Sequence, residues 1–168
     1  MKATKWHYTT EERLHAILTD GYIRQATVGI PVHEKPAAWF SINPDWEQTA
    51  NKMYKDASGN HYKGTMETTY RFGGLARIGV QDEAAPMTWA VFKRLSGITA
   101  TDANALEKTA KSKGSNPYHW FASFDPVYDH QWVSIEIYDG RNWADESDLK
   151  DVSLGNSAPS SNLCGEGQ

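Results

Sequence analysis

Lys5-Trp6-His7-Tyr8-Thr9-Thr10-Glu11-Glu12-Arg13-Leu14-His15-Ala16-Ile17-Leu18-Thr19-Asp20-Gly21 is the most legible stretch of the chain. Its first five residues are aromatic and β-prone, and they read as a strand. Thr9 and Glu12 have the spacing of a capping box, in which each side chain bonds an orphan backbone N–H at a helix start. Leu14, Ile17 and Leu18 fall at i, i+3 and i+4, the stripe of a helix with one buried face. Gly21 stands where a left-handed residue would end that helix. A strand leading at once into an amphipathic helix points to a mixed architecture.

Working outward, Ala37-Ala38-Trp39-Phe40-Ser41-Ile42 reads as a second strand. Asn43-Pro44 reads as a helix start, with Asn as N-cap and Pro in the first helical position. That helix is expected to carry Trp46, Ala50 and Met53 on one face and to end before Gly59. Met66 to Val80 is expected to be β-structure, because Thr68, Tyr70 and Phe72 alternate ahead of Gly73-Gly74. Pro86 is expected to open a helix with Thr88, Val91, Phe92 and Leu95, closed by Gly97. Another helix is expected from about Asp102 to Lys113. The last third reads as β-rich: Tyr118 to Phe124, then Gln131 to Tyr138, then the turn dipeptide Asp139-Gly140 and a return through Asn142-Trp143. No internal repeat and no linker interrupts this order. The reading is one α+β domain over residues 1–152 with three or four helices. A Ser/Gly-rich tail over 153–168 is expected to fray.

Composition fits that reading. Hydrophobic residues make up 39% of the 168 and charged residues 23%, near the values of ordinary globular domains. Neither a collagen-like chain, a disordered chain nor a disulfide scaffold is compatible with them. No run of about 18 apolar residues exists to span a membrane. The first residues lack the apolar core of a secretory signal, and the one cysteine, Cys164, has no partner in the chain. A cytoplasmic protein is the expectation. The net charge of −4 is unevenly spread: from Asp125 onward nine acidic residues face two basic ones, a net of −7, while the first 124 residues carry a net of +3. The whole chain therefore lacks the basic character of a general nucleic-acid binder, although a local basic cleft is compatible with it.

The sequence holds no P-loop, GxGxxG, HExxH, GxSxG or paired CxxC. What it offers is a scattered set of residues. His7 could bond a ribose hydroxyl in a cleft or be a satisfied, half-buried histidine. In Trp132-Val133-Ser134-Ile135-Glu136-Ile137-Tyr138, alternation gives Val133, Ile135 and Ile137 one face and Trp132, Ser134, Glu136 and Tyr138 the other. Glu136 is then either a rigidly held carboxylate or one member of a solvated face. Tyr54 could stack on a planar ring, with Ser41 donating to it, or both could serve packing alone. Arg71 and Arg77 could meet phosphates or be solvated. Lys52, His61 and Lys63 read as surface residues.

The order of these features resembles the ADP-ribosyltransferase-like superfamily, which includes the poly-ADP-ribose polymerases, diphtheria-type toxins and RNA 2′-phosphotransferases. Trp6-His7-Tyr8-Thr9-Thr10, followed by a helix that exits through Asp20-Gly21-Tyr22-Ile23, resembles the family's opening. Trp39-Phe40-Ser41 is similar to its second motif strand. Thr49-Ala50-Asn51-Lys52-Met53-Tyr54 looks like the helix whose Tyr stacks on nicotinamide, and Glu136 stands on a late strand as the family's catalytic Glu does. The likeness covers residues 5–54 and, more loosely, 118–138. It implies a split antiparallel sheet with NAD between two half-sheets. Carried across, His7 would bond the NAD ribose, the Tyr8 backbone would hold the nicotinamide amide, Tyr54 would stack on the ring, and Ser41 would support it. Glu136 would bond the ribose 2′-hydroxyl and stabilise the oxocarbenium-like transition state. Arginine-specific members carry a second carboxylate two residues earlier, where this chain has Ser134, so arginine is not the implied acceptor. The implied activity is NAD-dependent transfer of ADP-ribose to a macromolecular acceptor, protein or nucleic acid. The alternatives are a non-catalytic nucleotide- or protein-binding module of the same fold and an RNA 2′-phosphotransferase-like enzyme.

Overall fold

β1 (Lys5–Thr9) runs through the middle of a seven-stranded antiparallel sheet, and the chain builds outward from it on both sides. The structure, a computed structural model, describes residues 2–148; the tail expected over 153–168 lies outside the described residues. After β1 come α1 (Glu11–Asp20), β2 (Tyr22–Ile23), β3 (Ala38–Ser41) and a short hairpin of β4 (Tyr54–Lys55) and β5 (His61–Tyr62). Next are α2 (Met66–Gly73), β6 (Ala76–Val80), β7 (Met87–Thr88), α3 (Trp89–Leu95) and α4 (Ala100–Ser112). The chain continues with β8 (Trp120–Ser123), β9 (Val127–Tyr128), β10 (Trp132–Tyr138) and β11 (Trp143–Asp145). The main sheet has the order β11-β10-β6-β1-β3-β8-β7, with β2-β9 and β4-β5 as separate ribbons. Among the described residues the architecture is a single α+β domain with four principal helices, α1 to α4. Among the described residues no helix is long and apolar enough to cross a membrane.

The sheet is continuous, but its two halves are joined at one point. β1 runs in register with β6 along its whole length, from Lys5 opposite Val80 to Thr9 opposite Ala76. β3 does the same with β8, from Ala38 opposite Ser123 to Ser41 opposite Trp120. Between β1 and β3 a single pair, Trp6 opposite Ser41, carries the ladder. β11-β10-β6-β1 and β3-β8-β7 are therefore two half-sheets meeting at a seam, the form taken here by the expected split sheet.

Local chemistry explains where the elements differ from expectation. α1 is capped by Thr10, whose hydroxyl accepts from the Arg13 N–H at 3.4 Å, so the helix starts one residue later than the Thr9 spacing suggested. No α-helix follows Asn43-Pro44. The Asn43 side chain instead accepts from the Asp45 N–H in an Asx turn, and the backbone takes the local bond a helix start would have used. Only a 3₁₀ turn at Gln48–Ala50 forms there, and Tyr54 lies on a strand, not on a helix. The opposite holds for residues 66–73. Thr65 and Thr68 close a reciprocal capping box, the period becomes helical, and Thr69 is buried on the inner face. α2 ends because Gly74 adopts φ +65°, open to glycine at little cost. Pro86 precedes β7, and α3 begins at Trp89 under a Thr88 cap. β10 carries a bulge between Trp132 and Ser134. The extra residue, Val133, is 57% exposed, and Trp132 turns inward with the apolar residues, contrary to simple alternation.

Each face of the sheet has its own cover. α1 lays Leu14 against Phe40, Ile78 and Val80, with Ile17 and Leu18 half-buried beside them. On the opposite face α3 and α4 cover the β3-β8-β7 half through Trp89, Phe92, Ala103 and Ala110. Trp46, Tyr8 and Leu75 fill the remainder of that face. Leu14 is 3% exposed, so Leu14→Ala is expected to cost about 2–5 kcal/mol in urea unfolding. Leu18→Ala should cost less, because that side chain keeps part of its surface in water. Equal losses would mean that α1 packs in a different rotation.

Candidate functional site

The registers sort the sequence-selected residues onto two faces. Tyr8, Arg77 and Glu136 stand side by side on one face, and His7, Ile78 and Ile135 stand side by side on the other. His7 and Glu136 therefore do not converge on one cleft.

On the first face the Arg77 guanidinium is sandwiched between the Trp6 ring, 3.8 Å from its centroid, and the Trp143 ring, 4.4 Å away. Its Nε and Nη2 both donate to Glu136 Oε2, at 2.8 and 2.5 Å. Nη1 donates to the Pro44 carbonyl and lies 3.5 Å from the Tyr8 hydroxyl. Gly79 makes the arrangement possible. A Cβ there would stand 2.9 Å from the Trp6 ring and 2.7 Å from the Ser134 hydroxyl, so only a bare backbone lets the indole lie across β6. Tyr8 packs against Trp46 and Trp143 and donates to the Asn43 carbonyl at 2.5 Å. Burial pushes its hydroxyl up to about 12 despite the opposing pull of Arg77. The Glu136 charge is thus already neutralised by a buried cation. Sequence reading left Arg77 between phosphate contact and solvated surface; it is neither, and its partner lies 59 residues away.

Ser41 is committed as well. It is buried, donates to the Glu47 carboxylate at 2.9 Å and accepts from the Asn43 N–H. Glu47 is itself buried and also accepts from Thr49 and from the Ser115 hydroxyl, which ties the end of β3 to the loop after α4. The sequence gives no spacing signal for this hydroxyl-lined carboxylate, since Ser115 lies 68 residues from it.

The seam holds the remaining candidates. His7 Nδ1 lies 3.0 Å from the Trp39 carbonyl. A carbonyl can only accept, so Nδ1 carries the proton and Nε2 of the neutral ring is a free acceptor. The ring thereby gives β3 a bond that the interrupted ladder does not. Burial pushes the imidazole below its usual range; the bond to Trp39 opposes this, and repulsion from Lys52 and Arg13 adds to it. Lys52 is half-buried, and its ammonium is pushed down by burial and then by Arg13. Sequence reading gave it to the surface. Neither Arg13 nor Lys52 forms an ion pair among the described residues. The Tyr54 hydroxyl and the Thr10 methyl both crowd the Cα of Gly73, at the N-terminal end of α1. Tyr54 stacks on Phe72 at 5.2 Å and feels the charge of Arg13. His7, Arg13, Lys52 and Tyr54 thus share one neighbourhood, which Glu136 and Ser41 do not enter.

Among the described residues, surface hollows lie elsewhere. One of about 260 Å³ is lined by Lys93, Ile98 and Thr99, and one of about 370 Å³ sits beside the Val133 bulge. Among the described residues no group of three or more His, Cys, Asp or Glu could hold a metal ion. Comparison with family models, with curated proteins and with solved structures returns no match.

Two outcomes follow from this geometry. Arg77→Met is expected to destabilise the fold by about 3–5 kcal/mol, because it strands a poorly hydrated carboxylate, and Arg77→Met/Glu136→Leu should recover much of that loss. A double variant as unstable as the sum of the singles, read by urea unfolding, would deny the coupling. The second outcome concerns pH. A folded-state pKa below that of the unfolded chain means that the unfolded state takes up the proton first, so stability falls as pH drops through about 6.5 toward the depressed folded value. His7→Gln keeps a donor for Trp39 and cannot titrate. Its melting temperature should fall less than that of the wild type between about pH 7 and pH 5.

Proposed function

We propose that this chain is an ADP-ribosyltransferase-like nucleotide-binding module that takes an NAD-type dinucleotide at the seam. One observation carries the reading: the Trp39 carbonyl fixes the His7 tautomer and leaves Nε2 as a bare acceptor in the field of two unpaired cations. Such an acceptor suits a ribose hydroxyl, which donates. Lys52 and Arg13 suit the pyrophosphate, and the partial burial of Lys52 strengthens its attraction over the value in open water, while Arg13 is exposed. Tyr54 supplies a planar face. NAD enters here as ligand or substrate, and a cytoplasmic setting agrees with a single cysteine.

Transfer of ADP-ribose to a macromolecular acceptor is the second reading. It is favoured by His7 and Tyr54, two of the residues it assigns, which share the seam neighbourhood. It requires a fixed carboxylate beside the scissile bond, and Glu136 is bound to Arg77 on the other face. The binding reading therefore stands first.

Calorimetric titration with NAD separates the two. The wild type is expected to bind, and His7→Ala to weaken binding by about tenfold, the value of one hydrogen bond. Glu136→Gln should leave affinity unchanged. A wild type that ignores NAD at millimolar concentration ends the proposal. Release of nicotinamide by wild type but not by a folded Glu136→Gln would put the transferase reading in its place.

A further inference from the structure

Beside the seam, the β4-β5 hairpin and α2 form a surface of which the dinucleotide reading uses only Tyr54 and the adjoining Lys52. Tyr54 and Tyr62 pair across the hairpin. Both rings meet Phe72 of α2, at 5.2 and 4.9 Å between centroids. Phe72 is 40% exposed, and the neighbouring Met53 side chain is 84% exposed. This is an aromatic cluster that reaches the surface, with Phe72 exposed and Tyr54 and Tyr62 half-buried.

The segment that carries it is rich in cations. Residues 52–72 contain Lys52, Lys55, Lys63 and Arg71 against Asp56 and Glu67, an excess of positive charge in a chain of net −4. None of the four cations forms an ion pair among the described residues. The Arg71 guanidinium lies 5.2 Å from the Phe72 centroid. Of the two carboxylates, Asp56 is held inside the hairpin by Asn60, the Ser58 N–H and the Tyr62 hydroxyl. Arg13 extends the positive field toward the seam, with Glu11 and Glu12 as the nearest acids on α1.

We infer that this face binds single-stranded nucleic acid. Unpaired cations on the segment that carries a partly exposed ring cluster match a polyanion whose bases are free to stack. Every base has a π-face, so such a surface needs no sequence code. A duplex hides its bases and would meet the charges alone. The surface adjoins the seam without sharing Lys55, Lys63, Arg71, Tyr62 or Phe72 with it, so the inference stands whether or not a dinucleotide binds.

The test uses the full chain and a fluorescein-labelled dT12 oligonucleotide, followed by anisotropy between about 50 and 200 mM salt. The unlabelled U12 oligonucleotide and a dT12·dA12 duplex serve as competitors. The wild type is expected to bind the single strand and to prefer it to the duplex. Lys55→Ala/Lys63→Ala/Arg71→Ala should lower the slope of log K against log salt by about 2, at roughly 0.7 per lost phosphate contact. Phe72→Leu, which stays apolar but cannot stack, should weaken binding about tenfold. NAD titration of the Lys55→Ala/Lys63→Ala/Arg71→Ala variant should match the wild type, and His7→Ala should still bind dT12, so failure at the seam and failure at this face are read separately. Competition by U12 as strong as by dT12 supports the code-free stacking; its absence overturns it. No binding at about 50 mM salt, a slope unchanged in the triple variant, or equal affinity for duplex overturns the inference and leaves this face to a protein partner.

Discussion

Arg77 brings a full positive charge into a region walled by indole rings, and much of the structure is arranged to hold it there. Trp6 from β1 and Trp143 from β11 cover its two faces, and Glu136 from β10 takes two of its donors. The Pro44 carbonyl brings in the loop after β3. A guanidinium tolerates such a place because it is weakly hydrated and planar. Its remaining cost is met only if every wall is present, so four strands and one loop are fixed relative to each other by a single side chain. Trp143 adds a bond from its indole N–H to the Asp45 carbonyl, which fastens the edge strand β11 to the same loop.

The rigidity of that half-sheet gives the seam its character. β1 is bound along its full length to β6 and only at one pair to β3. The interruption leaves the Trp39 carbonyl to a side chain instead of the backbone, and that side chain is His7. Ser41 and Glu47 close the other end of the seam through a buried hydroxyl and carboxylate network. Partly buried polar groups thus stay available where the sheet pairing is weakest, because neither strand has used them. The same division separates Glu136, whose charge is spent on structure, from His7, whose second nitrogen is not.

Much of this was legible in the chain. β1, α1, the strand at 38–41, the helix at 100–112 and the hairpin around Asp139-Gly140 follow from period, caps and turn residues, all of which act within a few positions. The misread segments are those where two local signals compete. Asn43-Pro44 is equally a helix start and an Asx turn, and the bond to Asp45 decides. Thr68, Tyr70 and Phe72 alternate like a strand, yet Thr65 and Thr68 cap a helix. One inserted residue at Val133 sends Trp132 to the face opposite the one alternation gives it.

By itself the sequence determined the α+β class and the elements whose caps, turns and period are local, because these depend on neighbours in the chain. Only the tertiary structure decided which residues meet. His7 and Glu136 share a sheet but not a face, and a strand's two faces are assigned by register with strands far away in sequence. Lys52, read from the chain as surface, is half-buried beside His7. Arg77 is buried because Trp6, Trp143 and Glu136 arrive from three separate strands. Pairwise electrostatics falls off within several ångströms, and sequence distance carries no information about separations of that size.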